Sequence, residues 1–293
     1  MNISYSPYTL KGKPPFKDRD GALLRVEFKD ETVGYADVHP WVEFGDKPLS
    51  EQISLLQKGI PTSLTSRSLY FAKIDADARK AKINLFKEFV FPESHWLMNS
   101  PNETIPKEFT TVKIKADPKV DLNKQLAVLP KHLKIRIDFN NKHTYESFSK
   151  WVPSIREYWD RIDFIEDPFP FHFEQWKKVP VTLATDFQKE IGDIAIMKPA
   201  VDNFEDFEDC ERVIVTSYFD HPIGQLGAAY IAGIYNDKHP LRKEVCGLLT
   251  HLFYEPNPFS ERLSLEGAQL KANTEGLGFG YDDLLKNLSW TPL

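Results

Sequence analysis

The sequence predicts an α/β fold in which a parallel β/α barrel follows a smaller α+β segment. In the middle of the chain, short apolar runs that end in a charged residue alternate with stretches of helical periodicity. Buried strands with a charged last residue are typical of the rim of such a barrel, where the carboxyl ends of the strands meet. Five of these runs follow in order: KIK at 113–115, IRIDFN at 135–140, DFIEDP at 163–168, TLATDF at 182–187 and IAIMKP at 194–199.

The first 100 or so residues have a different order of elements, with strands followed by helices. ALLRVEF at 22–28 and TVGYADV at 32–38 have the composition of strands, whereas 50–59 and 66–86 have the composition of helices. Strands grouped before helices are typical of an α+β unit rather than of repeated βαβ units. We therefore predict a separate N-terminal domain in front of the barrel.

From about residue 105 onward, strand and helix patterns alternate as a parallel barrel sheet requires. Only 12 positions lead from Asp186 to Lys198, so the connection there has room for little more than one helical turn. The predicted elements are strand 110–116, helix 121–132, strand 134–140, helix 144–159, strand 161–166, strand 212–218 and helix 224–236.

Length and composition fit a barrel with one small companion domain. With 293 residues, of which 41% are hydrophobic and 13% aromatic, the chain can fill a sizeable core. A formal net charge of −6 without a basic stripe argues against a nucleic-acid partner, and two cysteines form neither a disulfide framework nor a zinc site. No apolar run approaches the roughly 20 residues of a membrane span, and the N-terminus lacks signal-peptide features. We expect a cytoplasmic protein with no membrane insertion and no obligate protein partner.

Three of the strand ends carry the carboxylates Asp138, Glu166 and Asp186. If the barrel brings them together, this much negative charge needs a counter-ion, and ligation by oxygen alone favours Mg²⁺ over zinc. We predict that these three residues bind Mg²⁺, which Mn²⁺ could replace. Each residue taken singly could instead be a helix cap or a solvated strand edge. Five charged strand ends in register are harder to explain in that way.

Lys113 and Lys115 are two residues apart on one strand, so both point to the same side, here toward the barrel mouth. Because two neighbouring ammonium groups repel and partial burial adds a desolvation cost, we expect the pKa values of both to be lowered. A neutral lysine near pH 7 can act as a general base on a substrate whose carboxylate the metal holds. Lys198 ends a later strand and is the second candidate for proton transfer. The alternative is an exposed strand whose lysines point outward.

The ordered set KIK, DFN, EDP, TDF and MKP resembles the enolase superfamily, and within it the branch of the o-succinylbenzoate synthases, dehydratases of menaquinone biosynthesis. GYADVHPW at 34–41 resembles the Gly-x-Gly-Glu-x-x-Pro region of that superfamily, and VTSYFDHPIG at 215–224 resembles its late Ser-rich strand. The resemblance implies an N-terminal α+β capping domain at 1–100, completed by the C-terminal tail at 267–293. It also implies that residues 101–266 form a modified (β/α)7β barrel.

For activity, the resemblance implies a carbon–oxygen lyase that acts on a small-molecule carboxylate. It assigns the general base to Lys115, a supporting charge to Lys113 and a positive charge on the opposite face to Lys198. In the o-succinylbenzoate synthase branch, 2-succinyl-6-hydroxy-2,4-cyclohexadiene-1-carboxylate loses water through an enediolate to give 2-succinylbenzoate. A racemase, a dipeptide epimerase or a cycloisomerase of the same superfamily has the same rim residues, and a barrel that only binds is a further alternative.

Four more residues near the rim are candidates for substrate binding. Arg136 and Asn140 flank Asp138 at two-residue spacing, and a guanidinium suits a second substrate carboxylate. Arg136 could instead neutralise the carboxylate cluster as a structural counter-ion. Thr216 and Ser217 end the strand RVIVTS and match the Ser-rich substrate contact of the superfamily, although hydroxyls at strand ends are also common helix caps.

Overall fold

An antiparallel sheet and two helices form the N-terminal part of the computed structural model, which describes residues 1–101, 103–186, 194–207 and 210–293. The second and third strands and both helices confirm the predicted α+β order. The first strand was not predicted, because its serines, tyrosines and proline lack a clear apolar face. These elements are β1 (Asn2–Leu10), β2 (Arg19–Glu27), β3 (Val33–Val38), α1 (Leu49–Gln57) and α2 (Ser63–Lys80).

Helix α2 packs directly on strand β3, and a glycine makes this contact possible. A Cβ atom on Gly34 would lie 1.8 Å from the carbonyl oxygen of Ala72, so only glycine allows the strand to approach the helix backbone this closely. The helix begins at a capping box. The Thr62 hydroxyl accepts from the backbone N–H of Thr65, and the Thr65 hydroxyl accepts from the backbone N–H of Thr62. Helix α2 is thereby fixed against the N-terminal sheet.

A curled sheet of parallel strands forms the larger part of the chain and confirms the predicted α/β barrel class. Neighbouring strands follow one another in chain order. Within the described residues this sheet contains seven strands: β4 (Trp96–Met98), β5 (Thr111–Lys115), β6 (Lys134–Asp138), β7 (Ile162–Glu166), β8 (Leu183–Thr185), β9 (Ile194–Met197) and β10 (Val213–Val215).

Apolar side chains on the two faces of this sheet separate into an inner and an outer core. The inner core fills the barrel with Phe164, Ala184, Ile194, Ile196 and Ile214. The outer core packs the other face of the strands against helices, because β-strand side chains alternate between the two faces. The helices that follow the strands are α3 (Leu122–Val128), α4 (Tyr145–Trp151), α5 (Phe173–Trp176) and α6 (Pro222–Lys238). The short connection predicted between Asp186 and Lys198 falls largely at 187–193, outside the described residues.

The sheet closes into a barrel through a very short eighth segment. Thr216 pairs with Gly247 on one side of the gap, and Ser94 pairs with Cys246 on the other, both in parallel orientation. Backbone hydrogen bonds of 2.9 Å from Gly247 N to Val215 O and of 2.8 Å from His95 N to Cys246 O continue these pairs. The segment at 246–247 therefore occupies the eighth strand position between β10 and β4.

The C-terminal tail returns to the N-terminal sheet. It contains the hairpin β11 (Ser264–Glu266) and β12 (Gln269–Lys271), helix α7 (Asp282–Lys286) and strand β13 (Thr291–Pro292), which pairs with β1. Because β4 begins before residue 101, we propose that the division between the two domains lies just before Ser94. None of the helices in the described ranges is long and apolar enough to cross a membrane. The cytoplasmic location stays a prediction.

Candidate active site

A cleft opens at the carboxyl ends of the barrel strands, where the predicted rim residues come together. It contains about 550 Å³ of empty space. All the lysines and carboxylates that the sequence predicted for catalysis and metal binding line it, together with three of the four predicted substrate contacts. These residues are Lys113, Lys115, Asp138, Asn140, Glu166, Asp186, Lys198, Thr216 and Ser217.

Lys113 lies between two of the predicted metal ligands. Its Nζ is 2.7 Å from both carboxylate oxygens of Glu166 and 3.0 Å from Oδ2 of Asp138. Burial alone would lower the pKa of Lys113, but the two carboxylates outweigh burial and raise this pKa above its ordinary value. The predicted lowering is therefore wrong for Lys113, because the prediction considered repulsion from Lys115 and not these contacts. Burial likewise works to raise the pKa of Asp138, but the neighbouring lysines hold it below its ordinary value.

Lys115 behaves differently, and for this residue the predicted direction of the shift is confirmed. Its side chain reaches the cleft, and its Nζ lies 5.4 Å from the centre of the Phe219 ring. The residue is exposed to the open cleft, but partial desolvation still lowers its pKa, and together with the charges of Lys113 and Lys198 it outweighs the opposing charges of Asp138 and Glu166. Within the described part of the chain Lys115 forms no ion pair. It is therefore the lysine best suited to lose its proton and act as a base.

Lys198 reaches the cleft from a strand on the other side of the barrel. Its ammonium group forms an ion pair with Asp186. Burial lowers the pKa of Lys198, but the contact with Asp186 outweighs it and raises the pKa. Lys198 is therefore held as a cation, in contrast to Lys115.

A group of oxygen ligands suited to a divalent cation lies beside these lysines. One carboxylate oxygen from each of Glu166, Asp167 and Asp186 lies within 4.8 Å of the others. This group holds two of the three predicted ligands, whereas the third, Asp138, lies outside it and shares the Lys113 ammonium group with Glu166. Burial, followed by the neighbouring negative charges, raises the pKa of Glu166 to about 7 and that of Asp167 to about 9. Among the described residues, Oδ1 of Asp186 is a buried acceptor without a hydrogen-bond partner. A divalent cation would relieve this repulsion and satisfy this acceptor, so the residues fit a metal site built from oxygen ligands.

Arg136 is the predicted site residue that does not line the cleft. Only 1% of it is exposed. Its Nε donates to Asp163 at 2.8 Å and its Nη1 donates to the carbonyl of Val245 at 2.7 Å. A β-bulge between β6 and β7 leaves Asp163 without a strand partner and lets its carboxylate turn toward Arg136. Arg136 therefore lies outside the cleft lining in which it was expected, and its acidic partner is Asp163 rather than a metal ligand.

The other three predicted substrate contacts line the cleft as expected. Asn140 has a φ of +48° and donates its backbone N–H to Oδ1 of Asp138 at 3.1 Å. The Ser217 hydroxyl lies 3.2 Å from the carbonyl of Gly247 and 2.7 Å from the hydroxyl of Thr250. Thr216 lies beside Ser217 in the lining. Their contact with substrate stays a prediction.

Several further residues that line the cleft were not predicted as site residues. Trp41 and Phe44 come from the N-terminal domain, and Nε1 of Trp41 donates to the carbonyl of Tyr218 at 2.6 Å. Lys198 lies 5.7 Å from the centre of the Phe44 ring. His95 precedes the short strand β4, which was not predicted, and Asp167 was part of the EDP motif without a role of its own. The N-terminal domain therefore contributes an aromatic wall to a site whose charged groups come from the barrel.

Comparison with known proteins agrees with this site. Residues 3–78 match the family model described as O-succinylbenzoate synthase, N-terminal domain. The whole chain aligns with an o-succinylbenzoate synthase from Bdellovibrio bacteriovorus at 32% identity over 329 residues, which covers 100% of this chain and 99% of that protein. The chain belongs to the o-succinylbenzoate synthase family. Members of this family are lyases.

Solved structures show the same fold at low sequence identity. A mandelate racemase/muconate lactonizing enzyme from Roseiflexus sp. has a TM-score of 0.77 at 16% identity, covering 95% of this chain and 96% of that one. A dipeptide epimerase from Enterococcus faecalis V583, complexed with Mg and the dipeptide L-Leu-L-Tyr, has a TM-score of 0.74 at 16% identity, with 95% and 98% coverage. The o-succinylbenzoate synthase family thus shares its barrel with epimerases and racemases, and the fold alone does not select the reaction.

Proposed function

We propose that this protein is an o-succinylbenzoate synthase, a metal-dependent dehydratase that converts 2-succinyl-6-hydroxy-2,4-cyclohexadiene-1-carboxylate to 2-succinylbenzoate. Family membership supports the proposal, and one observation in the site carries it. Of the two lysines on opposite sides of the cleft, Lys198 is ion-paired with Asp186, whereas Lys115 has a lowered pKa. An elimination on one face needs one base and one fixed cation. A racemase or an epimerase needs two lysines that both exchange protons.

The metal-binding residues in this proposal are Asp138, Glu166 and Asp186. Oxygen ligands favour Mg²⁺, and Mn²⁺ could replace it. When bound, the cation would hold the substrate carboxylate and stabilise the negative charge that develops there. Lys113, held as a cation between Glu166 and Asp138, fixes the orientation of these two ligands and adds positive charge beside them.

Lys115 performs the proton transfers in this mechanism. Its neutral Nζ takes the proton from the carbon next to the carboxylate, and the C–H bonding electrons move toward that carboxylate. The resulting ammonium group then donates the same proton to the departing hydroxyl group on the same face. The C–O bond breaks, water leaves, and the ring becomes aromatic. Lys115 is again neutral, and Lys198 stabilises negative charge from the other face throughout.

A direct assay tests this function. The purified protein should aromatise the synthetic substrate, followed by ultraviolet absorbance, and should lose this activity in EDTA and regain it with Mg²⁺. Glu166→Gln removes one ligand charge, so it should abolish turnover and weaken Mg²⁺ binding in calorimetry while leaving the circular dichroism spectrum unchanged. Glu174→Gln, on helix α5, is the matched control because Glu174 is exposed and does not line the cleft.

The same assay can overturn the proposal. No aromatisation in metal-replete buffer would refute it, as would full activity of Glu166→Gln. Incubation of N-acylamino acids or dipeptides in D₂O separates the alternatives, since a racemase or an epimerase would incorporate deuterium at the α-carbon and would invert the configuration there.

A further inference from the structure

His95 forms part of the cleft wall on the side where the barrel closes. Its backbone N–H donates to Cys246 O, which fixes the residue beside the short eighth segment. The imidazole lines the cleft, although only 5% of the residue is exposed. A Cβ on Gly247 would lie 2.8 Å from Cε1 and 3.0 Å from Nε2 of His95, so the absence of a side chain at Gly247 makes room for this edge of the ring.

A contact with Arg136 defines which ring nitrogen of His95 carries the proton. Nη1 of Arg136 lies 3.1 Å from Nδ1 of His95. A guanidinium has donors and no acceptor, so Nδ1 must accept this hydrogen bond, and the proton of the neutral ring must be on Nε2. Arg136 cannot easily turn away, because Asp163 and the Val245 carbonyl hold it. Burial and the charges of Arg136 and Lys113 also lower the pKa of His95, which keeps the ring neutral.

The position of His95 in the barrel places it opposite the end of the strand that leads to Asp186, one of the predicted metal ligands. The carboxylates Asp138 and Glu166 end β6 and β7, and Asp186 directly follows β8. His95 directly precedes β4, which lies opposite β8 in the closed barrel and is separated from β6 by β5. A substrate whose carboxylate lies near those ligands would therefore extend its remote end toward this side. Among the described residues, Nε2 of His95 has no hydrogen-bond partner within the protein.

We propose that Nε2–H of His95 donates a hydrogen bond to an oxygen of the succinyl arm of the substrate. Arg136 is a positioning residue in this scheme, because it holds the His95 tautomer and does not touch the substrate. The inference rests on the proposed function for the identity of the substrate. The tautomer rests on the geometry of His95 and Arg136 alone.

The tautomer is tested first, without any turnover. Two-bond ¹H–¹⁵N spectra of the protein labelled with ¹⁵N-histidine distinguish an acceptor Nδ1 from a protonated one. The signals of His95, among 8 histidines, are identified by their loss in His95→Gln. The expected result is a neutral Nε2–H tautomer from pH 6 to pH 8, which becomes mixed in Arg136→Met. A protonated Nδ1 in the wild-type protein would overturn the proposal.

Two substitutions of His95 then test the roles of its two ring nitrogens separately. His95→Asn keeps an oxygen near the Nδ1 position to accept from Arg136 but has no donor that reaches the cleft, whereas His95→Gln can place its amide N–H near the Nε2 position. For the succinyl-bearing substrate, His95→Asn should raise KM roughly tenfold with a smaller change in kcat, the loss expected for one hydrogen bond. His95→Gln should restore KM to within a few fold of wild type. Equal KM values for wild type and His95→Asn would overturn the proposal.

Binding of two product-like ligands keeps this test separate from the proposed function. Calorimetry with 2-succinylbenzoate and with benzoate, in the presence of Mg²⁺, compares ligands that differ by the succinyl arm. His95→Asn should weaken binding of 2-succinylbenzoate roughly tenfold and leave benzoate unchanged. Equal weakening of both ligands would show that His95 acts on the fold or on the metal-side carboxylate, and would overturn the inference. If wild type binds 2-succinylbenzoate no better than benzoate and does not turn over, the proposed function itself fails.

Discussion

Two clusters of charged residues lie in the same barrel, one at the mouth and one at the opposite end, and they differ in how their charges are paired. At the far end, Arg136 and Arg212 meet Asp163 and Glu244, and both arginines contact Asp163 at 2.8–2.9 Å. Arg212 also contacts Glu244 at 2.6 Å. Two positive and two negative groups thus satisfy one another, and we call this set the floor cluster.

The charged groups at the mouth of the barrel are not paired one to one. We call them the mouth cluster: Lys113, Lys115, Asp138, Glu166, Asp186 and Lys198. Lys113 is shared between two carboxylates, Asp186 retains an unpartnered buried oxygen, and Lys115 has no acidic partner among the described residues. A stable fold does not need such an arrangement, since unbalanced buried charge is costly. Incomplete pairing beside a cleft, rather than the presence of buried ions, therefore marks the functional end of this barrel.

The largest expected effect comes from changing the unpaired lysine of the mouth cluster. Lys115→Arg keeps the positive charge but removes a usable base, because a guanidinium stays protonated. We expect kcat to fall by roughly 10³-fold or more, in line with the loss of a general base, with Mg²⁺ affinity retained. Stopped assays with the synthetic substrate and calorimetry with Mg²⁺ measure the two quantities.

Two controls make this prediction specific. Lys119→Arg changes an exposed lysine on the following loop and should leave kcat unchanged. The wild-type kcat/KM should rise with pH as Lys115 loses its proton, and this rise should vanish in the residual activity of Lys115→Arg. If Lys113→Arg proved the more damaging change and Lys115→Arg were mild, the roles of the two lysines would be reversed.

In the floor cluster, the same kind of change should affect stability instead of catalysis. Asp163→Ala leaves both arginines with Glu244 alone, which lies 3.9 Å from Arg136 and 2.6 Å from Arg212. Removing one partner of a buried ion pair typically costs about 3–5 kcal/mol, and the 17% exposure of the Asp163 side chain places this site near the lower end. We expect the free energy of unfolding in urea to fall by about 3 kcal/mol, with kcat within a few fold of wild type.

Asp160→Ala is the matched control for the floor cluster, because Asp160 is exposed and precedes the same strand. It should change the free energy of unfolding by no more than about 0.5 kcal/mol. A large fall in kcat for Asp163→Ala without a loss of stability would contradict the distinction between the two clusters.

Part of the fold and of the candidate site could be predicted from the sequence, and part could not. The rim set was predictable because each charged residue ends an apolar run, and β-strand alternation places it inside the barrel. Asp163 was not predictable, since strict alternation directs it away from Arg136 and only the bulge reverses this direction. The eighth segment was missed because Cys246 and Gly247 form isolated bridges rather than an apolar run.

Contacts between charged groups on different strands could not be predicted from the sequence either. Spacing along β5 predicts that Lys113 and Lys115 repel, but the contacts of Lys113 with Glu166 and Asp138 come from other strands. The sign of the pKa shift for Lys113 depends on these contacts. His95 was missed because its role depends on a partner 41 residues away and on the narrow space beside Gly247.

A third cluster of charged residues lies between the two domains. Its negative charges are unbalanced, as at the mouth of the barrel, but they do not line the cleft. Asp37 of β3 accepts from the Tyr8 hydroxyl at 2.6 Å and from the backbone N–H of His221 at 3.0 Å. A Cβ on Gly224 would lie 2.7 Å from an oxygen of both Asp37 and Asp220, so the two carboxylates crowd one position at the start of α6. Burial raises the pKa of Asp37 to about 7, and burial followed by the charge of Asp37 raises that of Asp220.

The smallest expected effect is therefore a pH dependence of stability that Asp37→Asn should reduce. Because the pKa of Asp37 is higher in the folded state than its unfolded value of about 3.9, its protonation stabilises the fold fully below about pH 4. This contribution is lost as the pH rises through about 7. Between pH 5 and pH 8, in EDTA, the free energy of unfolding of wild type should fall by roughly 1–3 kcal/mol more than that of Asp37→Asn. Asp237→Asn, an exposed change on α6, should keep the wild-type slope, and equal slopes for Asp37→Asn and wild type would show that Asp37 is ionised throughout this range.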